Sequence, residues 1–156
     1  VQIPLPGHSF SMVGFRSADD GVYLADCLSS KETLEKYQIS FIYDVGSYLD
    51  SLKKVKAMQA KVFVPAHAEA TNDISVLAQL NLDKAYEIAG TIVELCASPL
   101  CFEQLLQKLF AAYHLTMTFE QYALVGSTVK SYLSWLRAEG RLDVLIENNS
   151  LLWAKK

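Results

Sequence analysis

What most limits the fold of this chain is a change in the spacing of its apolar residues near residue 72. Before that point they come as short runs broken by turn signals; after it they recur every three or four positions. The first texture predicts strands with a helix between them, the second a set of amphipathic helices. Met12–Arg16 and Val22–Ala25 flank Asp19-Asp20-Gly21, which reads as a β-hairpin. Val45, Tyr48, Leu49, Leu52 and Val55 then fall at helical spacing, with Lys53, Lys54 and Lys56 on the other side, and predict a helix over about Val45–Met58. Lys61-Val62-Phe63-Val64 follows as a short strand that Pro65 is expected to stop. Hairpin, helix and strand in that order make an α/β arrangement.

From Asp73 to about Ala97 the pattern predicts a helical stretch, either continuous or broken near Asn81, with an apolar stripe of Ala85, Ile88, Ala89, Ile92 and Val93. A second helix covers 101–113, with Phe102, Leu105, Leu106, Leu109 and Phe110 on one face. A third runs from Phe119 to Glu139, opened by a Thr118/Gln121 capping box and closed by Gly140. Leu142–Glu147 and Leu151–Ala154 around Asn148-Asn149-Ser150 predict a terminal hairpin. The expected organisation is therefore an α/β domain over 1–72 and a helical, winged-helix-like domain over 73–156.

Composition narrows the functional classes. The chain is 51% hydrophobic and 20% charged, a globular balance. No apolar run approaches the roughly 18–20 residues that cross a bilayer, and no leader pattern is present, so a soluble protein with no membrane role is expected. Three cysteines, Cys27, Cys96 and Cys101, make no disulfide framework and no C-x-x-C pair, which points to a reducing, cytoplasmic setting. The formal net charge of -3 gives no general pull on phosphate backbones. From Asp83 onward there are seven basic and eight acidic residues, the wrong balance for a duplex-binding winged helix, so nucleic acid is not an expected partner. The chain begins at Val1-Gln2-Ile3-Pro4 without an initiator methionine, as a fragment or processed chain would.

Three short segments carry the residue types that do chemistry. They are Pro6-Gly7-His8-Ser9, Ala25-Asp26-Cys27-Leu28 after an apolar strand, and Val64-Pro65-Ala66-His67 after another. Each places one potential ligand at a strand end or tight turn, where a side chain has little freedom. Two imidazoles and a carboxylate, His8, His67 and Asp26, form a sensible donor set for zinc, iron or manganese. His114 falls between two helices of the tail and reads as a solvated loop residue.

Taken in order, these segments resemble the second half of the metallo-β-lactamase superfamily. The family's corresponding motifs are a Gly-His-Ser/Thr turn, a Gly-Asp-x-Leu strand end and a Pro-Gly-His strand end. The resemblance covers about residues 3–70, and the tail is similar in topology to the winged-helix-like extension next to the lactamase-like protein 2 group. It implies half of an αββα sandwich, with His8 binding one metal, His67 a second and Asp26 bridging both. Two cations roughly 3.5–4 Å apart share a hydroxide and polarise a carbonyl or phosphoryl group. The implied activity is metal-dependent hydrolysis of a small ester, thioester, lactam or phosphodiester.

The sequence departs from the family pattern in two ways. Ala25 and Ala66 stand where the family has glycines that serve a positive φ or close backbone approach. The family's first metal motif, His-x-His-x-Asp-His, is absent. The resemblance therefore implies the C-terminal portion of a two-metal hydrolase, with zinc foremost and iron or manganese open. By itself this chain is expected to bind metal weakly or not at all, holding none stably, and to be inactive. A sheet that has lost its partner sheet would leave an apolar face in water, so a homo-oligomer is expected. Two rival readings are a non-catalytic binding or dimerisation module built on the helical tail, and a degenerate family member that lacks metals.

Overall fold

The computed structural model describes residues 1–156. It is a mixed α/β structure with five helices and two sheets. Contacts divide it into two compact units, Val1–Ala85 and Tyr86–Lys156. No helix is long and apolar enough to cross a membrane.

The first unit is built on a four-stranded sheet in the order β1-β2-β3-β4, with β1 Gln2–Pro4, β2 Val13–Arg16, β3 Gly21–Ser29 and β4 Val62–His67. The first three strands are antiparallel neighbours; β4 lies parallel to β3. A parallel neighbour needs a crossover. Here the crossover contains two helices, α1 Lys31–Tyr37 and α2 Val45–Lys56. The hairpin expected around Asp19-Asp20-Gly21 is present. Ser17 closes it by exchanging hydrogen bonds with Gly21, and Asp20 takes a φ of 69°.

One side of the sheet carries the core. Val22 and Leu24 of β3 and Phe63 of β4 are fully buried, as are Val45, Leu49, Leu52 and Val55 of α2. The other side carries an apolar row that stays open to solvent. Phe15 pairs with Tyr23, and Tyr23 with Val64, so the three side chains share one face. Phe15 is 47% and Tyr23 51% exposed.

Two local expectations change. β4 does not stop at Pro65 but runs through it to His67. Proline removes a donor, which an edge strand tolerates, and β4 ends the sheet order. The helix after residue 72, α3, covers Ser75–Leu95 without a break. Asn81 is 1% exposed and pairs with β3 rather than interrupting the helix. The boundary between the compact units therefore falls inside α3, after Ile74 and helical turns in which Ala78, Leu82 and Ala85 are buried.

The second unit contains the rest of α3, α4 Phe102–Ala112, α5 Phe119–Ala138 and a hairpin of β5 Leu142–Glu147 and β6 Ser150–Lys155. Cys101 precedes α4, and its N–H donates to Gln104 Oε1 at 3.1 Å. Thr118 Oγ1 accepts from Gln121 N at 3.2 Å and starts α5. Gly140, at φ 70°, turns the chain out of α5. The hairpin closes on Asn148 and Asn149, both left-handed at φ 49° and 61°, in the manner of a two-residue primed turn. Leu105, Leu106, Leu109, Val129, Tyr132, Leu133 and Leu136 form the core of this unit.

Candidate functional site

The three sequence-selected side chains come from separate parts of the first unit, and the fold brings them to one place. His67 Nε2 stands 2.9 Å from Asp26 Oδ1, and His8 Nε2 stands 3.9 Å from Asp26 Oδ2. One carboxylate thus lies between two imidazoles, each facing a different oxygen. All three are accessible, with 33%, 41% and 59% of the His8, Asp26 and His67 side chains exposed. At that exposure such contacts contribute about 1 kcal/mol or less to stability.

His8 is placed by the turn after β1. Gly7 has a φ of 133°, and a Cβ there would sit 2.3 Å from Tyr48 Cα. Only glycine lets this turn lie directly on α2. Gly7 O accepts from Tyr43 N at 2.9 Å and Asp44 N at 3.0 Å, and Ser51 Oγ donates to Pro6 O at 2.6 Å. The His8 ring packs edge-on against Phe41 at 5.6 Å.

Asp26 is placed by an irregularity in β3. The register with β4 shifts on both sides of Ala25, whose φ is 49°. That is the left-handed region, where a Cβ is strained. Alanine therefore stands where the resemblance puts glycine, and the backbone has kept the conformation that glycine serves. Ala66 differs: it is exposed and does not have a positive φ. His67 ends β4 and is held through its backbone, whose O accepts from Ser30 N at 3.0 Å.

A residue that the sequence pattern marks only as a point where the helix could break, Asn81, supports this corner. Asn81 Oδ1 accepts from Ser29 N at 2.9 Å and from the Tyr48 hydroxyl at 3.3 Å. Its Nδ2 donates to Ser29 O at 2.8 Å and Leu77 O at 2.9 Å. The amide thus completes the ladder at the end of β3, just beyond Asp26. Its one signal in the sequence is a polar amide amid the apolar positions Leu77, Ala78, Leu82 and Ala85. Nearby burial pushes the Cys27 thiol up to about 12 and the Tyr48 hydroxyl well above its ordinary range.

Imidazole nitrogen and carboxylate oxygen are the donor types that zinc, iron and manganese take. The number of donors is too small for a closed site. No group of three or more His, Cys, Asp or Glu side chains is arranged to hold one metal ion. The two imidazoles face different oxygens of Asp26. His114, at φ 53°, is exposed in the second unit, after α4.

No family model and no curated protein matches the sequence. Solved structures do. A metallo-beta-lactamase family protein from Thermus thermophilus superposes with a TM-score of 0.76 over 99% of this chain at 16% identity. The chain has a metallo-beta-lactamase-like fold. A beta-lactamase domain protein from Burkholderia ambifaria gives the same TM-score, 0.76, over 99% of the chain at 15% identity. The chain spans about half the length of these proteins, 48% and 47% respectively.

Proposed function

We propose that this chain is the C-terminal portion of a metal-dependent hydrolase of the metallo-β-lactamase superfamily, acting on a small ester, thioester, lactam or phosphodiester. The observation that carries the reading is Asp26 held between His8 and His67 at the ends of separate elements, in a metallo-beta-lactamase-like fold. In it, His8 and His67 would each hold a divalent cation, zinc foremost and iron or manganese as alternatives, and Asp26 would supply a carboxylate donor to both. Bound cations would lower the pKa of a shared water and polarise the scissile group. The chain's own part is to fix donors: the Gly7 turn aims His8, the Ala25 irregularity aims Asp26, and β4 delivers His67. The remaining ligands belong to a segment outside this chain, so the chain alone is inactive and binds metal weakly.

The open row of Phe15, Tyr23 and Val64 is the face the missing half would cover, and in its absence copies of the chain associate through it. The second unit, with three helical stretches and a terminal hairpin, serves as a winged-helix-like structural element of a cytoplasmic enzyme.

The test is a zinc titration followed by the imidazole resonances of His8 and His67. Both should shift with weak, millimolar-range affinity, and Asp26→Asn should reduce both responses. Resonances indifferent to zinc would refute the half-site. Turnover of a chromogenic lactam, thioester or phosphodiester by the purified chain with zinc or manganese would refute its inactivity.

A further inference from the structure

The second unit contains a cavity of about 690 Å3 that the hydrolase reading does not use. Small-molecule sites commonly span roughly 300–1,000 Å3. Its walls come from the start of α4, the last turns of α5 and both strands of the terminal hairpin. Leu133 and Leu142 contribute buried apolar surface, and Phe102 and Trp153 line it while only half-buried.

Lys130, Arg137 and Lys156 line the same cavity, and Asp143 is the one acidic side chain among the lining residues. The even balance of basic and acidic residues along this half of the sequence therefore hides a local excess of positive charge. None of the three cations is engaged with a carboxylate. Lys130 Nζ stands 4.9 Å above the Phe102 ring. Lys156 is held by its backbone, whose N–H donates to Arg141 O at 3.2 Å. Asp143 is turned to its own chain, accepting from Val144 N at 2.8 Å.

The carboxyl end of a helix ordinarily repels anions. At the end of α5 two of those carbonyls are already occupied: Leu136 O accepts from Arg141 N at 2.9 Å, and Arg137 O from Gly140 N at 3.0 Å. The residues lining the cavity thus include an arginine, two lysines and two aromatic side chains. A guanidinium matches phosphate or carboxylate oxygens in a fork. Three cationic side chains against one acidic side chain suit a doubly charged phosphomonoester better than a singly charged acid. The aromatic and leucine walls ask for a flat apolar body on the same ligand.

We propose that this cavity binds a phosphomonoester carrying an aromatic ring, with Arg137, Lys130 and Lys156 on the phosphate and Phe102, Trp153 and the leucines around the ring. The site is independent of the hydrolase reading and of His8, Asp26 and His67.

The test titrates the full chain with phenyl phosphate, inorganic phosphate and benzoate, following tryptophan fluorescence. The chain has two tryptophans, Trp135 and Trp153, so Trp153→Phe assigns the signal. Phenyl phosphate should bind saturably and about ten-fold or more tighter than either of the other two. The double variant Lys130→Ala/Arg137→Ala alters exposed side chains and should keep the circular dichroism spectrum while weakening phenyl phosphate about ten-fold or more. Asp26→Asn should leave that affinity unchanged. No saturable binding of phenyl phosphate by calorimetry, or equal binding by the double variant, would overturn the site. Inorganic phosphate binding as tightly would overturn the role of the apolar wall, and benzoate binding as tightly would overturn the phosphate assignment.

Discussion

Ala25 offers the sharpest test of how the site is held. Its φ of 49° lies in the left-handed region, at the point where β3 shifts register beside Asp26. A non-glycine residue there costs roughly 1–2 kcal/mol. Replacing it with glycine removes that cost but adds about 0.4–1 kcal/mol of freedom to the unfolded chain. Ala25→Gly should therefore stabilise the protein by about 0.5–1 kcal/mol. For a domain of this size each kcal/mol moves the melting midpoint by roughly 2–4 °C, so an upward shift of about 1–4 °C is expected by calorimetry. Ala66→Gly is the control. Ala66 lies in β4, is exposed and does not have a positive φ. Glycine there gains nothing and should cost about 0.5–1 kcal/mol, lowering the midpoint. Opposite signs are the signature. A lowered midpoint in Ala25→Gly would show that the alanine is unstrained and that the bend at Asp26 has another origin.

Other outcomes follow from the same geometry. Gly7→Ala would drive a Cβ into the Tyr48 backbone at 2.3 Å and should cost more than about 2 kcal/mol in chemical denaturation. Asn81→Ala removes the partners of Ser29 N, Ser29 O and the Tyr48 hydroxyl, and should lower stability by about 2–4 kcal/mol in the same measurement. Burial raises the Cys27 thiol from 9.0 to about 12, so the folded protein keeps it neutral where the unfolded chain ionises it. Stability from this source is complete below about pH 9 and falls as pH rises towards 12; melting midpoints from pH 8 to 11 should decline, less steeply in Cys27→Ala. In the native state below pH 9, Cys27 should also resist alkylation while half-buried Cys101 reacts.

Much of the fold is legible because local chemistry and tertiary structure agree. Asp19-Asp20-Gly21 demands a turn and Asn148-Asn149 a left-handed pair, and both hairpins form there. The stripe from Val45 to Val55 demands a buried face and finds one. The failures are places where a distant partner decides. Pro65 reads as a stop, yet a strand at the edge of a sheet can give up one donor. Asn81 reads as a break, yet the unpaired end of β3 gives its amide partners that no local pattern contains. β1 is three residues long and α1 seven, too short for periodicity to register. The candidate site was legible as types in order, His8, Asp26 and His67. That Asp26 faces each imidazole with a separate oxygen depends on the β3 irregularity, and nothing in the spacing of the three residues conveys it.

The helix shared by both compact units has a consequence for how such a chain can be divided. Its pattern changes near residue 72, and a cut there would look natural to anyone designing a shortened protein or a gene fusion. That cut would take Asn81 from the end of β3, and Ile74, Ala78, Leu82 and Ala85 from the first unit's interior. A cut after Ala85 would keep them, but would end the piece in the middle of an unbroken helix. A shuffled or transplanted copy of the first unit would have to bring at least the opening turns of α3 with it, so the stretch that travels as a cassette is longer than the stretch that reads as a domain.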